Sequence, residues 1–371
     1  MKILKIIFYI LLLLVSVIVI FINVSPQFGA NPNKSQKLFF SNFQNFEKGE
    51  FKNNEATTLF TDEMSLTDFF KTEINREPVK EIIPLKMDVE LFSSTIGGDF
   101  KLTWLGHSAF IMNISGKIIL LDPMLGSYAA PLPLPSLKRY SSQVAFDINE
   151  LDKIDFVILS HDHYDHLDYP TIKKIKDKVA RFIVPHGIGN HLKRWGVNKE
   201  SITELNWEQS YTYEDIEFIC LPARHFSGRG PLNRNSTLWS SWAIKNKKGK
   251  VYFSGDSGYG SHFKKIGQEH GPFDFSLIDC GQYNKAWKYS HMFPEQAIKA
   301  AVDLNTEYLI PIHWGAFTLA SHSWMEPPEI IFKESKNFNQ EFIIPEIGQV
   351  LSLKKENKTP AKWWRRFSQA N

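Results

Sequence analysis

The sequence predicts a large layered α/β domain behind a membrane-length N-terminal helix. Three observations predict it. Strand-length apolar runs recur from residue 99 onward, many closing on a turn or a polar side chain. Helix-like stretches lie between several of them. The N-terminus is continuously apolar. At 371 residues, 43% of them hydrophobic, the chain exceeds a typical single domain but fits one large α/β domain with additions. Its net charge of +3 gives no global argument for nucleic acid.

The elements follow in order. After Lys2 and Lys5, the run Ile6–Ile22 is broken only by Ser16. At ~1.5 Å per residue it spans roughly 25 Å, and Leu4 and Val24 extend it toward a ~30 Å hydrocarbon core. A cleaved signal peptide is the rival reading, with Gly29-Ala30 as the small pair and bulky Phe28 at the −3 position. An uncleaved single-pass anchor, N-terminus in and domain out, is the expectation. Lysines on both sides (Lys34 and Lys37 follow) leave the charge bias weak. Residues 31–97 are polar and mixed, with one helix-like stretch at 56–74. From Asp99, short β-rich runs follow: FKLTWLG, FIMNISG, KIILLDP, DFVILSH, RFIVPHG, IEFICLP, SWAIKN, VYFSGD, FSLIDCG and YLIPIHWG. Helices are expected at Tyr169–Lys178 and Pro294–Asp303, where Pro294-Glu295 suits a first turn. The chain thus divides into an anchor or signal sequence (1–24), an extension (25–97), the layered domain (98–353) and a basic, aromatic tail (354–371). That tail either touches anionic lipid or docks its tryptophans on the domain. Cys220 and Cys280 sit in separate apolar runs and read as buried thiols.

The chemistry concentrates in LSHDHYDHLD, residues 159–168. His161, Asp162, His163, Asp165 and His166 crowd together directly behind an apolar strand. Imidazole and carboxylate are the ligands that zinc and similar ions take when thiolates are absent. Further candidates end other apolar runs: His225 after IEFICLPAR, Asp256 in VYFSGD and His313 in YLIPIH. Taken singly, each has a plain reading as a core histidine, a turn residue or an aromatic neighbour of Trp314. The cluster has none. His161, His163, Asp165, His166, His225, Asp256 and His313 are too many for one tetrahedral ion. They fit two ions about 3.5–4 Å apart, bridged by a carboxylate and a water. His161 and His163 can face one ion, and Asp165 and His166 a second.

HDHYDH has the HxHxDH form of the metallo-β-lactamase superfamily. FKLTWLGHSAFIM, KIILLDP, LSHDHYDHLD, FSGDSGY and IHWGAF occur in the order and spacing of one branch. That branch resembles the N-acylphosphatidylethanolamine-hydrolysing phospholipase D family and its bacterial relatives, near the ascorbate-6-phosphate lactonase group. SPQFGANPNKSQ also resembles bacterial members, and the resemblance covers roughly residues 25–330. It implies a four-layer αβ/βα sandwich. It further implies that His161, His163 and His225 hold the first ion, that Asp165, His166 and His313 hold the second, and that Asp256 bridges them. His291 in SHMFPEQA matches a histidine near the substrate phosphate, although Met292-Phe293 replaces the usual polar pair. His107 and Asp122 match positions behind the ligands, Tyr164 lies beside the site, and Asp162 is a turn or supporting group.

The expected activity is metal-assisted hydrolysis by a dinuclear centre, with zinc as the expected metal. An activated water would attack an electrophilic phosphorus or carbonyl, with Asp256 and His291 as catalytic groups. The leading substrate is an N-acylphosphatidylethanolamine-like phospholipid. AAPLPLPSLKRY (129–140) either greets its acyl chain or forms a rigid surface loop. A small lactone or polar phosphoester is the alternative. A membrane-tethered, non-catalytic binding protein is the reading of another class, opposed by the full ligand set.

Overall fold

The computed structural model describes residues 2–61, 75–94, 100–353 and 362–368. Its framework is two seven-stranded sheets. The first runs, in spatial order, Val350–Ser352, Phe100–Trp104, Phe110–Ile114, Lys117–Leu121, Ile154–Ile158, Val179–Pro185 and Ile202–Leu205. The second runs Glu341–Phe342, Thr306–Ile312, Phe273–Asp279, Gly249–Phe253, Ser241–Asn246, Ile216–Leu221 and Ser210–Tyr213. Each of the ten β-rich runs named above contains a strand. Each sheet is half antiparallel and half parallel, with the parallel half on one side of Lys117–Leu121 and of Gly249–Phe253.

Strands that are buried at every position, such as Ile154–Ile158, carry no polar face. They must be covered on both sides. One side is the facing sheet. On the other side of the second sheet, Pro294–Asp303 packs on Thr306–Ile312 and Phe273–Asp279, and Glu326–Glu334 packs beside it. Pro294 opens its helix with Glu295 in the first turn, as expected. Tyr169–Ile175 starts where the His-rich stretch stops, because the Asp168 carboxylate accepts the Thr171 N–H at 3.0 Å.

The core takes side chains from outside the sheets as well. Phe40, Phe51, Ile82 and Phe92 of the extension are buried in it. The tail docks: Trp363 and Trp364 are buried, and Arg365 and Lys362 pair with Glu329. Trp363 stacks on Trp314, next to His313. Both cysteines are free and buried. The helix-like stretch at 56–74 falls mostly outside the described residues.

The N-terminal helix spans Lys2–Val24 with none of its residues buried. Among the described residues it is the one helix long and apolar enough to cross a membrane.

Candidate metal centre

A buried cluster of histidines and carboxylates lies along one edge of the sandwich, where strands end. Asp122 follows Lys117–Leu121, the His161–His166 stretch follows Ile154–Ile158, and His225 follows Ile216–Leu221. Asp256 follows Gly249–Phe253, Asp279 closes Phe273–Asp279, and His313 follows Thr306–Ile312. The two sheets are stitched together at this edge. The His107 N–H donates to the Trp314 carbonyl and the His313 N–H to the His107 carbonyl, each at 3.0 Å. Gly255 lets Ser160 approach; a Cβ there would sit 2.5 Å from the Ser160 Cβ. His107, Asp122 and His313 all have positive φ (55°, 36° and 68°). Left-handed backbone costs a non-glycine residue ~1–2 kcal/mol, and it persists where surrounding contacts over-determine it.

The seven predicted residues come together as two groups that share Asp256. In the first, the ligand atoms of His161, His163, His225 and Asp256 lie within 4.8 Å of one another. His163 Nδ1 is 2.9 Å from His161 Nε2 and 3.2 Å from His225 Nε2. Both Nε2 atoms are 3.7 Å from Asp256 Oδ2. In the second, Asp165 Oδ2 is 3.5 Å from His166 Nε2 and 4.0 Å from a His313 ring nitrogen. Asp256 Oδ1 is 3.1 Å from His166 Nε2 and 3.1 Å from His313 Nδ1. One carboxylate thus gives one oxygen to each group.

Tautomers follow from the partners. His225 Nδ1–H donates to the Ser290 carbonyl at 2.9 Å. His161 Nδ1–H donates to Ser160 Oγ at 2.8 Å, because the Ser160 hydroxyl is itself spent on Asp122. His166 Nδ1–H donates to Asp122 Oδ2 at 2.6 Å. In His161 and His225 the Nε2 lone pair faces the cluster, and in His166 the Nε2 atom does. Burial pushes the proton affinities of His161, His163, His225 and His313 down, so these rings stay neutral. His166 is the exception: burial opposes its charge, but Asp256, Asp165 and Asp122 together hold it well above the usual range. Burial also works against charge on Asp165 and Asp256. The surrounding histidines outweigh it and keep both carboxyls well below the usual range.

These residues fit a cation. Ring nitrogens stand 2.9–3.2 Å apart, close to the about 3.3 Å between ligands of a tetrahedral zinc at ~2.0–2.1 Å. The buried His166 Nε2 and Asp256 Oδ1 face each other at 3.1 Å without forming a well-aligned hydrogen bond. Buried polar atoms are rarely left so.

Support comes from behind, as a metal site requires. Asp122 orients His166, and His107 Nε2 meets Asp165 Oδ2 at 2.8 Å. Asp162 faces away from both groups and takes N–H donors from Gly228 and His191 and the Thr237 hydroxyl. His291 stacks on His313 with centroids 5.1 Å apart and holds Asp279 Oδ2 at 3.0 Å. Burial opposes its charge, but the Asp279 carboxylate raises its proton affinity above the ordinary value. The sequence reading missed Asp279, although it ends the apolar run FSLID as Asp256 ends VYFSGD. It also missed Ser160, His191 and Arg229, whose partners are distant in sequence.

A groove of about 820 Å³ lies near this edge; Tyr164 and Asp168 of the His-rich stretch line it, and none of the seven predicted ligands does. Tyr164, adjacent to Asp165, forms part of its wall, with Leu125, Tyr128, Leu132, Val144 and Lys173. At another point of the wall is Gln27, three residues past the end of the N-terminal helix. The Pro/Leu stretch therefore lines this groove.

The model of the beta-lactamase superfamily domain matches residues 117–314. The chain belongs to the metallo-β-lactamase superfamily. Within it, the fold and the metal-binding cluster define a metal-dependent hydrolase. It is 35% identical over 328 residues to an uncharacterized protein of Mycobacterium tuberculosis, covering 86% of this chain and 87% of that one. It is 30% identical over 329 residues to the N-acyl-phosphatidylethanolamine-hydrolyzing phospholipase D 1 of Caenorhabditis elegans, covering 81% and 91%. The metallo hydrolase Igni18 of Ignicoccus hospitalis shares the fold, with a TM-score of 0.52 at 21% identity over 70% of this chain and all of that one.

Proposed function

We propose that the chain is a membrane-anchored, two-cation phosphodiesterase of phospholipase D type, acting on N-acylphosphatidylethanolamine-like lipids. The observation that carries the lipid reading is the groove. Its mixed, largely apolar lining includes Tyr164, which follows His163 in the chain, and Gln27, just beyond a membrane-length helix. The similarity to the nematode phospholipase D supports the same class.

His161, His163, His225 and Asp256 would hold one cation, and Asp165, His166, His313 and Asp256 the other. Two divalent ions, zinc in the first instance, would supply Lewis acidity and a water acidified toward neutral pH. The residues of the chain do the rest. Asp256 spans both positions and can accept the proton of the attacking water. His291, whose proton affinity Asp279 raises, can donate a hydrogen bond to a non-bridging phosphoryl oxygen as its charge grows. Water adds to phosphorus, the P–O bond to the ethanolamine side breaks, and the proton that Asp256 took from the water passes to the leaving oxygen. The products are phosphatidic acid and the N-acylated amino alcohol.

The test is turnover of N-acylphosphatidylethanolamine in mixed micelles by the full chain, with bis(p-nitrophenyl) phosphate in parallel. Release of phosphatidic acid, lost in Asp256→Ala, is expected. Cleavage of the small ester alone would replace the lipid reading with that of a polar phosphoesterase. No turnover of either by folded, metal-loaded protein would end the enzyme reading.

A further inference from the structure

The few residues after the N-terminal helix are wired into the domain. Arg194 donates to the carbonyls of Asn23 and Gly29, each at 2.6 Å, and so caps the helix end. Trp195 Nε1 donates to the Pro26 carbonyl at 2.6 Å. Arg229 Nε and Nη2 both donate to the Gln27 carbonyl, at 3.0 and 2.8 Å. The Phe28 ring meets Tyr164 edge-on. The Ala30 N–H donates to His191 Nδ1 at 2.9 Å.

Two of these partners reach the His-rich loop on their other side. Arg229 is buried, and its Nη1 donates to the carbonyls of Asp162 and Leu167, at 2.7 and 2.8 Å. One rigid guanidinium thus ties Gln27 to both ends of the loop. His191 makes the second link. A backbone N–H can only donate, so His191 Nδ1 must carry the lone pair and Nε2 the proton. Nε2 then donates to Asp162 Oδ2 at 3.2 Å. Asp162 sits between His161 and His163 in the chain, so its seat sets where those two rings point.

Gly29 keeps this link tight. Its φ of 69° and ψ of −155° suit glycine, and a Cβ there would fall 1.9 Å from His191 Nδ1.

We propose that Pro26–Ala30 is a positioning element for the loop His161–His166, acting through His191 and Arg229. The inference rests on reading that loop as cation-holding. It goes beyond that reading by making the segment next to the membrane part of the site. The N-terminal helix and the loop then form one mechanical unit.

The test uses the full chain in detergent micelles and reads hydrogen exchange of residues 159–168 in metal-free protein. Cation retention after cobalt loading is read separately. Gly29→Ala, which must displace His191, and His191→Gln, which removes the ring, are compared with Asn31→Ala. The last, one residue past the segment, loses the hydrogen bond that Asn233 Nδ2 donates to the Asn31 side chain. Exchange of 159–168 is expected to rise about tenfold in both link variants and to stay unchanged in Asn31→Ala. Cobalt affinity should fall roughly 10–100-fold, the cost typical of lost support behind a ligand. If Gly29→Ala fails to fold, His191→Gln decides. Unchanged exchange at 159–168 with faster exchange at 25–31 would overturn the proposal and leave the segment a simple tether. Because exchange is read without metal, a chain that binds no cation would defeat the metal reading and leave this measurement intact.

Discussion

The two residue groups of the candidate metal centre are built differently. The first is assembled from neutral imidazoles whose outer nitrogens are pinned by Ser160 and the Ser290 carbonyl. Its nitrogens are already 2.9–3.2 Å apart, so little must move when a cation arrives. The second half is carboxylate-rich, with gaps of 3.1–4.0 Å, and it rests on His107 and His313 in left-handed backbone. The contrast separates two ways to pre-form a site. One fixes tautomers through neutral partners; the other concentrates charge and holds it with strained backbone.

Breaking the shared element should have the largest effect. Asp256→Ala removes an oxygen from each half, and turnover should vanish together with at least one of the two cations, as read by elemental analysis. Single-half variants come next. His225→Ala should cost the first cation and leave the second group's ligands in place. Asp165→Asn should do the reverse, and cobalt spectra of the two proteins should differ. His291→Ala sharpens the comparison from outside: cation content unchanged, kcat down on the order of 10²–10³-fold. Asp122→Asn should be milder, about 10–100-fold in cation affinity, and confined to the half that holds His166.

The smallest effect is in pH. His166 holds a proton at neutral pH in the metal-free chain, because its carboxylate neighbours raise its affinity. The histidines of the first half are pushed down and are already deprotonated. Filling the second half must therefore expel a proton, and filling the first need not. Calorimetric cobalt titrations at pH 6 and pH 8 should show tighter second-site binding at the higher pH, with a flatter response at the first. Equal proton release at both steps would erase the distinction.

The centre was largely legible because chemistry-bearing residues end apolar runs. HDHYDH, His225, Asp256 and His313 each follow a strand whose apolar pattern is plain, and strand ends converge at one edge. Strands such as Ile202–Leu205 (ITEL) and Ser210–Tyr213 (SYTY) were not legible. They are half-polar edge or near-edge strands whose alternation is too short to stand out. Glu341–Phe342 is shorter still. The tail's role could not be read either, since WWRRF suits a lipid surface as well as a docked cap. What decides is Glu329, which gathers Lys362, Trp364 and Arg365. The links through His191 and Arg229 join residues more than 150 positions apart, and no local pattern announces them.

Under the proposed function, Asp256 joins two cations in one centre. X-ray absorption on the zinc-loaded full chain reads this out: a metal–metal scattering vector is expected at about 3.5–4 Å, absent in Asp256→Ala. A fully loaded wild-type chain with a single histidine-rich shell and no metal–metal vector would contradict it.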